Sequence, residues 1–231
     1  MSLESSSNSY TPYGPWTTVG LAAAVVMGSS ILAGLMLQMV GVTPDPDTAT
    51  SGTMAWSVIS DLLGIAALAK LVDLRAPGQA APYLAVRPFA TADAKRWLAV
   101  MAAFFLAEWI IEAVLRPMLD MPAPPNWLDN ANLSPLLLMA LVITGPIYEE
   151  LLFRGFVLEG LAPTPLGASG SLVLSTLAWT MLHWQYDTVS LIMVFGSGLL
   201  FGLARLATGS LLLAILLHMT WNAVSMLMNY A

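Results

Sequence analysis

Three polar stripes stand out in a chain that is otherwise mostly apolar: Tyr148–Glu149–Glu150 with Arg154, Trp179 with His183, and His218 with Asn222. A carboxylate and an imidazole that share a water can remove its proton, and a second imidazole with an amide can donate hydrogen bonds to a developing oxyanion. Together these groups could hydrolyse an amide. Glu150 and Arg154, four residues apart, share a helix face and can pair, whereas Glu149 lies about 100° round the helix. One carboxylate can then be neutralised while its neighbour stays free for proton transfer. Each stripe alone also has a structural reading. The Glu–Glu–Arg group could be an ion-pair cluster that sets helix register. His183 could be an interfacial hydrogen-bonding residue. His218 and Asn222 could simply bond to a neighbouring helix.

The elements that must carry these stripes are membrane helices. Of 231 residues, 58% are hydrophobic and 10% charged, against about one quarter charged in a soluble domain. Too few charges remain to build a water-soluble surface, so lipid must cover much of the protein. A spanning helix needs roughly 20 apolar residues. Seven segments qualify: residues 16–42, 54–74, 97–115, 133–161, 168–185, 189–207 and 210–230. The expected fold is therefore all-α, a polytopic transmembrane bundle of about seven helices. Thr43–Pro44–Asp45–Pro46–Asp47 breaks the first segment, Pro117 ends the third, and Gly145–Pro146 should kink the fourth. Residues 1–15 form a polar, serine-rich tail without Lys or Arg, unlike a cleavable signal peptide. Residues 16–132 hold the N-terminal helices, with an interfacial elbow over 83–96, and residues 133–231 the helices that bear the stripes. With no cysteine there are no disulfides or thiolate metal sites, and no basic tract points to nucleic acid.

Lys70, Arg75, Arg87, Lys95 and Arg96, five of the eight Lys and Arg, flank or lie in the segment between the second and third helices. The positive-inside bias makes that segment and the N-terminus cytoplasmic. At about 1.5 Å per residue, Glu149 then lies roughly 17 Å, His183 roughly 20 Å and His218 roughly 12 Å from the cytoplasmic helix ends. Ionisable groups at such depths are costly and mark function by default, and three stripes at comparable depth on separate helices can converge on one cavity.

Glu-Glu-x-x-x-Arg at 149–154, aromatic-x-x-x-His at 179–183 and His-x-x-x-Asn at 218–222 resemble the CPBP family, the type II CAAX prenyl endopeptidases and bacteriocin-processing (Abi) proteins. The run from Gly198 through Arg205 to Gly209–Ser210–Leu211 resembles that family's approach to its last motif. The resemblance covers about residues 133–224. One position departs from it: the usual phenylalanine of the second motif is Trp179. The resemblance implies an intramembrane endopeptidase of the bacterial cytoplasmic membrane that acts on membrane-associated peptides or proteins. It assigns the water to Glu149 and His183 and the oxyanion to His218 and Asn222, and leaves Glu150–Arg154 as the structural pair. The expected mechanism needs no cofactor. Zinc held by Glu149, His183 and His218 is the alternative, since two His and one carboxylate are a common catalytic zinc set. Two other classes use the same residues: a proton-coupled transporter, in which buried Glu and His form a relay, and a catalytically silent scaffold or immunity protein of the same fold.

The remaining polar residues have plainer expectations. Glu108, Glu112 and Arg116 form a snorkelling stripe with a Glu112–Arg116 pair. Asp61 should hydrogen-bond to a neighbouring helix, Gly198 and Gly202 should allow close helix packing, and Trp16, Trp97 and Trp127 should sit near the interfaces.

Overall fold

The computed structural model describes residues 12–45, 50–120 and 134–230. Most of the N-terminal tail, Pro46–Asp47 of the first turn and Trp127 lie outside the described residues. Within them the chain forms eight helices: α1 (Pro15–Met39), α2 (Ser51–Arg75), α3 (Ala80–Tyr83), α4 (Thr91–Met118), α5 (Pro135–Leu161), α6 (Gly167–Met181), α7 (Thr188–Thr208) and α8 (Leu211–Tyr230). Six of these, all but α3 and α6, are long and apolar enough to cross a membrane. The fold is the all-α membrane bundle that the composition requires. Many large apolar side chains, among them Trp16, Ile31, Met39 and Trp109, lie on its outer surface.

Three expectations change in detail. The fifth segment ends at Met181, not at 185, so α6 has 15 residues, about 22 Å at 1.5 Å per residue and short of a hydrocarbon core of about 30 Å. His183 therefore follows the helix on a turn, closed by its own N–H to the Thr180 carbonyl at 2.9 Å. The elbow is shorter than 83–96, because α4 begins at Thr91 behind an extended Ala90, with Asp93 in its first turn to favour the positive helix end. Pro117 does not end α4, which continues to Met118.

Proline inside a helix removes an N–H and leaves a carbonyl without its donor. Here Pro117 and Pro146 each follow a stretch of wider π register: Ile111–Leu115 precedes Pro117, and Met139–Thr144 precedes Pro146. The expected kink at Gly145–Pro146 thus takes the form of a widened turn, of a kind often found at functional sites. A third π stretch, Leu151–Val157, carries Arg154.

α5 is the axis of the bundle. Half of its apolar window is buried, against 6% for the peripheral α4, and it packs against α1, α2, α6 and α8. Gly64 lets α2 approach it: a Cβ there would lie 2.3 Å from the Tyr148 ring. Asp61, one turn earlier on α2, accepts from the Thr144 hydroxyl at 2.8 Å, the interhelical bond expected of it. Gly209, at φ +70°, ends α7, and Ser210 donates to the Arg87 carbonyl at 2.5 Å, so the chain re-enters the bundle as α8 against the 84–90 loop.

Candidate active site

The two adjacent glutamates have opposite environments. Glu150 is fully buried. Its Oε1 accepts from Arg154 Nη1 at 3.1 Å and lies 3.0 Å from His218 Nδ1. Arg154, also fully buried, donates from Nη2 to the Gly198 carbonyl at 3.0 Å, and its guanidinium lies over the Trp179 ring at 4.6 Å. The helix spacing thus becomes a buried ion pair with a histidine added. Glu149 keeps 29% of its side chain exposed. Its Oε2 accepts from Trp179 Nε1 at 2.5 Å and lies 3.8 Å from His218 Nε2.

Hydrogen bonds decide which ring nitrogens stay open. The Trp179 carbonyl can only accept, so His183 Nδ1, 3.0 Å away, carries the proton and leaves Nε2 as its free nitrogen. An ionised Glu150 likewise makes Nδ1 of His218 the donor, and Nε2 points towards Glu149. Phe201 stacks on the His218 ring at 4.9 Å and holds its plane. Both imidazoles meet the Trp179 ring edge-on, His183 at 4.9 Å and His218 at 5.5 Å. Trp179 therefore touches Glu149, His183, His218 and Arg154 together.

Asn222 has a different partner from these. Its Nδ2 donates to the Leu141 carbonyl at 2.7 Å. The wide register before Pro146 explains why: Gly145 N–H bonds back five residues to Ala140, so the next N–H would meet Leu141, and proline has none. Asn222 supplies the missing donor. Asn222→Leu should leave that carbonyl orphaned and cost about 1–3 kcal/mol. Pro146→Ala should recover much of the loss by restoring the backbone donor. Unfolding of the single and double variants in bicelles checks both; equal losses in the two backgrounds would contradict this account.

Three features escape the sequence reading. The indole N–H of Trp179 bonds to Glu149, although the spacing only put an aromatic ring near His183. Tyr186 stacks near His183 at 5.9 Å, and burial pushes its hydroxyl up, with the negative charge of Glu149 adding to the effect. Asp187 caps α7 through the Val189 and Ser190 amides, at 2.9 and 3.1 Å, and meets Arg116 at 2.8 Å. Burial opposes its ionisation, but the Ser190 amide, Arg116 and the Ser190 hydroxyl outweigh that and hold its carboxyl below the usual range. The expected Glu112–Arg116 pair is present and thus extends to the turn that carries His183. An Asp next to a helix start was the available signal for the cap; its contact with Arg116, 71 residues away, left none.

Residues 131–224 match the family model described as type II CAAX prenyl endopeptidase Rce1-like. The match supports the CPBP/CAAX protease family for this segment. The Rce1-like segment contains Glu149, His183, His218 and Asn222, and its helices α5 to α8 are those that assemble the cluster. The family supports a protease of the CAAX type, and with six apolar helices the chain is a multi-pass membrane protein. No curated protein and no solved structure matches the chain. Among the described residues, no three His, Asp or Glu side chains gather closely enough to hold a metal ion.

Proposed function

We propose that this protein is an intramembrane endopeptidase in which Glu149 acts as general base on a water, without a metal. One observation carries the reading: of two neighbouring glutamates, Glu150 is neutralised in an ion pair while Glu149 stays 29% exposed beside the His218 imidazole, with His183 packed on the same Trp179 ring that binds Glu149. A base must meet both water and substrate, and Glu149 is the carboxylate that can.

In this reading His183, with Nε2 unprotonated, accepts a hydrogen bond from the water and aligns it, and Glu149 takes the proton as oxygen attacks the scissile carbonyl. His218 has Nδ1 committed to Glu150. It donates to the oxyanion from Nε2 in its doubly protonated form, with Glu149 and Glu150 offsetting the charge. Asn222 spends one amide N–H on Leu141, and we assign its second to the oxyanion, where one donor is worth about 3 kcal/mol. Glu149 then returns its proton to the leaving amine. The substrates are membrane-associated peptides or proteins, a CAAX-type C-terminus or a leader peptide. The Lys and Arg that flank or lie in the segment between α2 and α4 orient the chain with a cytoplasmic N-terminus.

The purified protein in lipid vesicles should cut such peptides in a single turnover in ¹⁸O-water, with one labelled oxygen in the new carboxylate and no covalent enzyme–peptide species. Dialysis against a chelator should leave the rate unchanged. Loss of activity that zinc restores would assign Glu149, His183 and His218 to a metal. Proton flux without cleavage of any peptide would make the protein a transporter.

A further inference from the structure

We infer that Trp179 is a positioning residue whose indole N–H fixes the Glu149 carboxylate so that one oxygen, Oε1, faces the water. The inference rests on the reading of Glu149 as the base. Trp179 is 3% exposed, and its surroundings leave the indole no room to swing. Arg154 lies over its face, Phe201 meets it edge-on at 6.4 Å, and a Cβ on Gly198 would come within 2.7 Å of its Cζ3. A donor held this way is rigid, and its bond to Oε2 at 2.5 Å is short and charge-assisted.

The choice of oxygen matters. The terminal carboxylate torsion of a glutamate is broad and two-fold, so a free Glu149 would present either oxygen at many angles. Trp179 claims Oε2, the oxygen that also faces His218 Nε2 at 3.8 Å. Oε1 is left to take the proton, in one orientation. Reactions between held groups lose rate steeply when the angle or distance is relaxed. A phenylalanine, the usual residue of the motif this position resembles, keeps the ring and lacks the donor. The N–H is therefore a donor that a phenylalanine there could not supply, and Gly198 supplies the space for the larger indole.

The test separates the N–H from the ring. Trp179→Phe removes the donor, and replacement by β-(3-benzothienyl)alanine keeps the bicyclic shape with sulfur in place of N–H. Both should lower kcat about tenfold, the value of one hydrogen bond felt at the transition state, with KM unchanged. In protein labelled with ¹⁵N-indole tryptophan, the Trp179 N–H resonance should sit downfield and move in Glu149→Gln. Wild-type kcat in the benzothienyl protein, or an indole resonance indifferent to Glu149→Gln, would overturn the inference and leave the base assignment standing. Full cleavage by Glu149→Gln would instead remove the base and the inference with it.

Discussion

Glu149→Gln should lower kcat for peptide cleavage by about 10²–10⁴-fold, the usual contribution of a general base, and leave a folded protein in the membrane. Glutamine has nearly the same shape, and its carbonyl oxygen can still accept the Trp179 N–H. It cannot take a proton from water. The side chain is partly exposed and stands outside the Glu150–Arg154 pair, so neutralising it leaves that buried pair intact. Detergent-solubilised size exclusion and thermal unfolding should therefore match wild type while the initial rate collapses. More than a tenth of wild-type kcat in a matched preparation would mean that proton abstraction lies elsewhere, with His183 as the next base to test.

The contrast between Glu149 and Glu150 also shows how far sequence reasoning reaches. Four-residue spacing was enough to pair Glu150 with Arg154, because helix geometry puts i and i+4 side by side whatever surrounds them. It also put Glu149 on a neighbouring face. The third member, His218 Nδ1, comes from a residue 68 positions away, and no local period encodes such a contact. The six long helices were legible for a similar reason: runs of apolar residues are a local property, and their ends moved mostly by a few residues. His183 is the instructive miss. Continuous hydrophobicity into the 182–185 region extended the helix on paper, but the chain turns after Met181. His183 still reaches Trp179, because a turn that closes on Thr180 brings residue 183 back beside residue 179 much as another helical turn would have done. Asn222 differs again. Its spacing from His218 suggested a shared stripe, and only the register shift before Pro146 shows that part of its hydrogen-bonding capacity serves the backbone of α5.

Arg154→Met should destabilise the protein by about 3–5 kcal/mol, the cost of stranding one member of a buried ion pair. Methionine fills much of the volume, so the loss is mainly electrostatic. Glu150 would keep only His218 as a polar partner, the Gly198 carbonyl would lose its donor, and Trp179 would lose the cation over its face. Arg154→Lys should recover little, since a single ammonium cannot reproduce the planar fork that spans Glu150 and Gly198. Removing the charge on both sides is the decisive comparison. If the damage in Arg154→Met comes from the stranded carboxylate, Glu150→Gln/Arg154→Met should be more stable than Arg154→Met alone, even though it has lost one more native group. Denaturant unfolding in bicelles can measure this cycle, and a double variant that is less stable than Arg154→Met would show that packing, not charge, governs the site. The same comparison bears on catalysis. A double variant that folds but cleaves slowly would show that the ion pair holds His218 in place, since Glu150 is the group that orients the His218 ring through Nδ1 while Glu149 meets the water.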